Sequence, residues 1–388
     1  QLLGWYLENA PHGVLAYTVN VIASLAGILF FTLICFLETG PVVWFSCAGI
    51  MLVILVFRIP ILRWSSLACY LLCIALLGIT HTGKNTKTYW SPYQKLTVSP
   101  WYSETGELFV YNLKTNDFWY QWVLNLSDSF VEEHPKFFEK TNISFNPYNL
   151  PYHFHPNPES VLVLGAGMGN DVAAALRNGA DKVTAVEIDP TILEVGSQLH
   201  PEKPYDSPKV ETVTNDARNY VENTSSKFDM IVFALLDSHT TSSHYTNIRI
   251  DNYVYTIEAL KATRALLEPD GVMVVKFQVN TPWIAGRLEN LLTEVFGYPP
   301  IHLEGVSSYS TGGRFFITGD RKTISKAMAK PSLRDYMNGS QEFETVSATV
   351  TTDDWPYFYQ KAPGVPTSII IISCVLVLAT TWAMIRTG

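Results

Sequence analysis

Three apolar runs open the chain, Val14 to Leu37, Val42 to Phe57 and Trp64 to Thr80, and a fourth, Ser368 to Ile385, closes it. Each is apolar on every face, unlike the single stripe of a helix packed on a soluble core. A helix needs about 20 residues to cross a hydrocarbon layer of about 30 Å. The first, third and fourth runs approach that length, and the second is slightly short. Tyr17, Trp44, Trp64 and Trp382 stand near run ends, where amphipathic rings favour the membrane–water interface. The pattern predicts four transmembrane helices.

Between the third and fourth runs, from about His81 to Pro366, the pattern changes. As far as about His155 it holds short strand-like runs, LTV at Leu96 and ELFVYNL at Glu107, broken by Gly and Asn-Pro turns, which predict a small β region. From Ser160 onward VLVLG, NDVAAALRNG, VTAVEI, TILEVGSQL, MIVFALL, YTIEALKATRALL and GVMVVKF follow one another. Strands alternating with helices at this spacing predict a parallel sheet covered on both faces. The expected fold class is α/β: a Rossmann-like, doubly wound, mostly parallel sheet preceded by a small β region and flanked by transmembrane α-helices. The expected division is a membrane region of three helices at 1–82, the β region at 83–155, the Rossmann-like domain at 156–366 and a last transmembrane helix at 367–388. No internal repeat or low-complexity segment interrupts it.

Composition agrees with membrane segments: 47% of the 388 residues are hydrophobic and 13% aromatic, high for a soluble protein. A net charge of −8 with no long Lys/Arg run excludes nucleic acid as a partner, because that surface must be basic. Cys35, Cys47, Cys69, Cys73 and Cys374 all lie inside apolar runs, without zinc spacing or a disulfide framework. They read as small buried hydrophobes, and no metal is expected. The chain starts at Gln1 with no charged stretch before its first apolar run, so no signal peptide is expected. Its ends read as those of a processed form or of a part of something longer.

Candidate chemistry begins at VLVLGAGMGNDVAAALRNGADKVTAVEIDP, Val161 to Pro190. Val161 to Leu164 reads as a buried strand, followed at once by Gly165, Gly167 and Gly169, with Asn170 or Asp171 placed to cap the next helix. Glycines allow a tight turn and close approach of a ligand to the backbone, and the helix start adds N–H groups. The next strand ends in Glu187 and Asp189, about 20 residues on, where a carboxylate accepts ribose hydroxyls. After a third strand, Val210 to Val213, Asp216 of NDARNY is placed to accept the exocyclic amine of an adenine. This order favours an S-adenosyl ligand over NAD; the competing reading is a turn kept only as scaffold.

LPYHFHPNPESVLVLGAGMGN, with WSPYQKLTV at Trp90 and the VEIDP and NDAR segments, resembles the spermidine synthases. With LLDSHTTSSHYTNIRIDNYVYT, TTDDWP and the flanking apolar runs added, the set is most similar to bacterial membrane-bound spermidine synthase-like proteins, over about Trp90 to Tyr359. The resemblance implies transfer of an aminopropyl group from decarboxylated S-adenosylmethionine to the amine of putrescine. The sulfonium makes the adjacent carbon electrophilic, so the protein adds in-line positioning of an unprotonated amine, and carboxylates hold the amines and take the proton.

Several positions depart from that family. Its glycine turn reads GGGDGG, with an Asp for the donor's amine, and Met168 stands there in this chain. Its DSSD segment aligns with Ala234 and Asp237, so one of two acids is missing. Its Tyr-x-Glu falls near Ile143 to Phe145, where no acid occurs. Gln94 is kept. The resemblance therefore implies Gly165, Gly167 and Gly169 as the donor's cradle, Glu187 on the ribose and Asp216 on the base. It implies Gln94 and Asp237 toward the substrate. Asp237, Ser238, His239, His244, Tyr245, Asp251 and Tyr253 form a polar cluster in the loop and helix start after the strand MIVFALL, where an α/β site presents its chemistry. The cluster offers Tyr253 to the substrate and Asp237 or His239 as the catalytic base, histidine being the side chain that titrates nearest neutrality. The plainer reading makes His239 and His244 solvated and Asp251 a helix cap. Met168 either fills the turn against the next helix or, by removing a repelling acid, admits the intact methionine carboxylate of S-adenosylmethionine, which favours methyl transfer.

The leading expectation is a membrane-anchored transferase with S-adenosylmethionine or its decarboxylated form as co-substrate and a small amine as acceptor. An S-adenosylmethionine-dependent methyltransferase is the nearest alternative. The rival of another class is a catalytically inactive accessory subunit of a membrane complex, with TNDFWYQWVLN at Thr115 to Asn125 as contact surface or as ordinary core packing. A transporter is the weaker reading still, because four helices without intramembrane ionisable residues offer no obvious pathway. The lipid bilayer is the expected partner and the bacterial inner (cytoplasmic) membrane the expected location. Arg58, Arg63 and Arg386 put the polar domain outside the cytoplasm by the positive-inside rule, whereas Lys84, Lys87, Lys95 and an intracellular donor oppose that side, so the side stays open.

Overall fold

The structure, a computed structural model, describes residues 2–56, 63–79, 85–103, 106–139, 142–236, 250–279, 281–305, 313–340 and 343–387. The chain divides into two compact units, one of residues 1–102 and 112–119, the other of 103–111 and 120–388.

The first unit holds a short helix, Leu2–Glu8, and the helices Gly13–Phe36, Pro41–Val56 and Arg63–Ile79. The last two pack where Gly49 lets the Tyr70 ring approach; a Cβ there would lie 2.3 Å from Tyr70 Cε2. The hydrophobic pattern predicts four spanning helices, and among the described residues two have that length and composition, Gly13–Phe36 in this unit and Thr367–Arg386 in the other. Almost none of either is buried by protein, so neither is a core helix. The described parts of the other two are 16 and 17 residues long, about 24–26 Å at 1.5 Å per residue. Pro41 fixes the start of the first of these, as proline does at the opening of a helix. The cysteines are corrected as well: Cys69, Cys73 and Cys374 are exposed and Cys35 and Cys47 half-buried, because the described residues cover the helices that carry them only in part.

Strands β1 (Lys87–Trp90), β2 (Lys95–Tyr102), β3 (Leu108–Thr115) and β4 (Phe118–Val123) form a sheet in that order. β1 and β2 are an antiparallel hairpin with Trp90 opposite Lys95, and Gln94 lies in its turn, where Ser91 N–H bonds to Gln94 C=O at 2.9 Å.

The second unit is built on β5 (Ser160–Leu164), β6 (Lys182–Glu187), β7 (Val210–Thr214), β8 (Phe228–Ala234), β9 (Leu267–Phe277), β10 (Ile301–Gly305) and β11 (Gly313–Gly319). Their order across the sheet is β10-β11-β9-β8-β5-β6-β7. β5 to β9 pair in parallel, and the β10–β11 hairpin adds antiparallel to β9. Alternation along β5 splits its side chains between two cores. Val161 and Val163 join Ala174, Ala175 and Met230 on one face, and Leu162 and Leu164 join Phe233, Leu260 and Leu291 on the other. Each such fully buried side chain contributes about 1.5–3 kcal/mol by area. The strand sequence runs to either side of β5, so the sheet has its switch point between β5 and β8, where α/β sheets open a crevice at the carboxyl ends.

The helix Pro282–Phe296 lies directly on the segment after residue 343: Val346 N–H bonds to Pro282 C=O at 3.0 Å. A Cβ on Gly286 would sit 2.0 Å from Val346 C=O oxygen. Gly286→Ala is therefore expected to destabilise the fold by about 1–3 kcal/mol, the usual range for overpacking. Denaturant unfolding measures it, and an unchanged midpoint would contradict the contact.

Candidate functional site

After Leu164 the chain turns through Gly165, Gly167 and Gly169 with φ of 77°, 56° and 108°, the left-handed region that glycine enters without a Cβ clash. The turn is also crowded: a Cβ on Gly169 would lie 2.8 Å from Pro204 Cγ. Side chains from three places hold it. Gly167 N–H donates to Glu187 Oε2 at 2.9 Å, and Glu187 Oε1 accepts from Asp189 N–H at 3.1 Å. Met168 N–H donates to Gln121 Oε1 at 3.1 Å. Tyr205 Oη donates to Gly167 C=O at 2.7 Å. Burial raises the Glu187 carboxyl above its ordinary range, and the N–H groups of Asp189 and Gly167 pull the other way. Burial also pushes the Tyr205 phenol well up, so it remains a donor at neutral pH.

Met168 has its side chain fully buried. Its backbone rests on the helix Pro190–Leu199, where a Cβ on Gly196 would come within 2.8 Å of Met168 C=O oxygen. It fills the turn, the first of its two expected roles.

Asn170 and Asp171 do not cap the helix as the sequence suggests. Gly169 occupies the cap position, and no side chain caps there. Asn170 is buried and uses its whole carboxamide. Its Nδ2 donates to Trp122 C=O at 2.6 Å and to Tyr148 Oη at 2.9 Å, and its Oδ1 accepts from Leu124 N–H at 3.1 Å and His200 Nε2 at 3.2 Å. His200 Nδ1 accepts from Glu202 N–H at 3.1 Å, which assigns the ring proton to Nε2. Burial, then Arg177 and Lys203, pushes the pKa of His200 down to about 3. Asp171 instead forms an ion pair with Lys276 of β9. The two are 6% and 2% exposed, and Lys276 Nζ also lies 5.0 Å from the Tyr148 ring centre.

At the carboxyl ends of β5 and β8, Gly165, Gly167, Asp171, Ala234, Tyr120 and Tyr148 line a void of about 20 Å³, room for about one water. Leu235, which follows β8 here, has a φ of 54°, a strained backbone for a branched residue and one found at functional sites.

Gly165, Gly167, Gly169, Glu187 and Asp216 thus stand at the ends of β5, β6 and β7, three adjacent strands. Asp216 caps the helix Ala217–Asn223, its Oδ1 accepting from Asn219 N–H at 2.9 Å. Gln94 belongs to the first unit. Tyr253 is 51% exposed, on the turn Ile250–Val254. Asp251 is in that turn and is not the cap of the following helix; Thr256 is, accepting from Ala259 N–H. Asp237 and His239, with Ser238, His244 and Tyr245, lie outside the described residues. Sequence reasoning overlooks Gln121, Tyr205 and Lys276. Only Lys276 carries a signal, a lone charge inside the apolar strand GVMVVKF.

Residues 148–324 match the family of the spermine/spermidine synthase domain. A polyamine aminopropyltransferase 2 of Hyperthermus butylicus is 30% identical over 184 residues, 45% of this chain and 57% of that protein. A polyamine aminopropyltransferase of Bacillus cereus is 27% identical over 181 residues, 45% of this chain and 62% of that protein. The chain thus spans about three-fifths of those two relatives. Among solved structures, a spermidine synthase in complex with the transition state analogue AdoDATO is similar at 18% identity and a TM-score of 0.44, over 74% of this chain and 86% of that one. The spermidine synthase of Thermotoga maritima is similar at 17% identity and a TM-score of 0.43, over 71% of this chain and 82% of that one.

The buried imidazole sets a pH dependence. On unfolding, His200 takes up a proton near its ordinary 6.5, but in the fold only near 3. Between those values the unfolded chain binds more protons, so this contribution to stability is complete above 6.5 and is lost as the pH falls toward 3. His200→Gln is expected to flatten that slope, as read by denaturant midpoints across the window. An identical slope in both proteins would contradict the buried neutral ring.

Proposed function

We propose, on the premise that residues 148–324 are a spermine/spermidine synthase domain, that this chain binds a sulfonium nucleoside of the S-adenosylmethionine type and transfers a group from it to a small amine or related nucleophile. The observation that carries this reading is the row formed by the glycine turn, Glu187 and Asp216 at the ends of β5, β6 and β7, where parallel sheets of this winding hold their ligands. Gly165, Gly167 and Gly169 bring backbone close to the donor. Glu187 spends two acceptor sites on Gly167 and Asp189 N–H, and a carboxylate has about four, which leaves capacity for ribose hydroxyls. Asp216, half-buried after β7, faces the place of the base. The sulfonium itself makes the carbon electrophilic, so the chain's residues have to bind, orient and move one proton. Asp237 or His239 takes that proton, and Tyr253 orients the acceptor.

A second reading, an accessory subunit that keeps the scaffold without catalysis, is favoured by Met168 and Ala234, which stand where the family has acids. Calorimetric titration of the detergent-solubilised chain with methylthioadenosine, S-adenosylmethionine and decarboxylated S-adenosylmethionine separates the two. Binding is expected, weakened at least about tenfold, or about 1.4 kcal/mol, in Asp216→Ala. Asp216→Asn retains the helix cap, so loss of binding in it with unchanged thermal stability assigns the effect to the ligand. No binding of any of the three sinks the transferase reading and leaves the subunit.

The helices Gly13–Phe36 and Thr367–Arg386 anchor the chain in a membrane, a reading supported by apolar side chains exposed around both, among them Leu25, Ile28, Leu29, Val375 and Leu378. The full chain is expected to float with lipid vesicles and to resist alkaline extraction. Release into the supernatant at high pH would count against integral anchoring.

A further inference from the structure

The void between β5 and β8 lies on the side of β5 away from Glu187 and Asp216, since β6 and β7 are on one flank of β5 and β8 on the other. A nucleoside held over β5, β6 and β7 therefore points the substituents of its sulfur toward this void. Two acids that would recognise a bare ammonium there are missing: Met168 is an apolar side chain buried in the turn, and Ala234 has only a methyl group. What the chain places there instead is a pair of opposite charges. Asp171 lines the void, and Lys276, its partner, stands beside Ala234 in the register of β8 and β9.

A lone ammonium gains little from a carboxylate already neutralised by Lys276, and it is repelled by that lysine. A carbon carrying both an ammonium and a carboxylate can pair with both members, exchanging one internal ion pair for two. Both residues are over nine-tenths buried, and the low dielectric around them makes such charge matching highly selective. The void is small, so the tail enters by widening it.

We propose that Asp171 and Lys276 receive the α-amino and α-carboxylate groups of an intact S-adenosylmethionine-type donor, so that the site selects the carboxylated nucleoside over the decarboxylated one. Asp171 pairs with the ammonium and Lys276 with the carboxylate. This rests on the nucleoside reading above and narrows it to one class of donor.

The test is titration of the full detergent-solubilised chain with S-adenosylmethionine, decarboxylated S-adenosylmethionine and methylthioadenosine, which has no tail. The wild-type chain is expected to bind the carboxylated donor at least about tenfold tighter than the decarboxylated one. Lys276→Gln should abolish or invert that ratio while leaving methylthioadenosine affinity unchanged, and Lys276→Arg should keep the preference. Equal or tighter binding of the decarboxylated form by the wild-type chain overturns the proposal, and this comparison needs no variant to fold. A ratio unmoved in a folded Lys276→Gln also overturns it. If methylthioadenosine itself fails to bind, the nucleoside reading falls and takes this one with it; if it binds and the ratio is absent, only this one falls.

Discussion

The carboxamide of Asn170 is the joint on which the site is built. It is the first residue of the helix after the glycine turn, and its four bonds tie that helix to the backbone of Trp122 and Leu124, the hydroxyl of Tyr148 and the ring of His200. Only a side chain with two donors and a two-lone-pair acceptor meets this set. An aspartate at the same place would offer no donor to the Trp122 carbonyl. Because residues 122 and 124 are fixed to the helix, Gln121 beside them is brought to Met168 N–H, and the turn's amide groups are satisfied without a ligand. A turn whose donors already have partners is rigid, and it leaves Glu187 and Asp216 as the adaptable part of this surface.

Charge is distributed unevenly across the switch point. On the β6 and β7 side stand carboxylates alone, Glu187 and Asp216, suited to hydroxyl and amine donors. On the β8 side the one charge among the described residues lining the void is Asp171, which is paired with Lys276. An apolar side chain at 168 and a cation at 276 act in the same direction, since neither attracts a polycation. The two halves of the crevice therefore ask for different chemistry from one ligand: neutral donors at one end, a balanced pair of charges at the other.

Much of this was legible in the sequence because it is local. The alternation from Val161 to Phe277 located β5 to β9 and the helices between them, and the three glycines located the turn. The positions of Glu187 and Asp216 followed from strand ends. What escaped depends on pairs far apart in sequence: Asn170 with Trp122 across 48 positions, and Asp171 with Lys276 across 105. No period encodes such bonds. Asn170 and Asp171 looked like helix caps because the residue type suits a cap, yet Gly169 took that position and freed both for distant partners. The apolar runs show a different limit. Their composition reads as helical, as the structure has it, but hydropathy does not say where Pro41 starts a helix, and it made exposed cysteines look buried.

The Asp171–Lys276 pair also bears on whether the site is merely a remnant. Taking two charges out of water is expensive, and a buried ion pair is often no more stabilising than apolar residues of the same volume. β9 is otherwise apolar from Val272 to Phe277, and its neighbours Val274, Val275 and Phe277 are fully or almost fully buried. Valine or methionine at 276, with a small residue at 171, would suit such a strand at no cost to its packing. Stability alone therefore gives little reason for a lysine there. A scaffold kept only for its shape needs Asn170, Gln121 and Tyr205, which hold the turn, but it has no use for a desolvated charge pair beside an empty-handed Ala234. With Asp171 lining the void and Lys276 paired to it, the pair makes sense, on the proposed reading, as a recognition element whose electrostatic cost is offset when a zwitterion arrives.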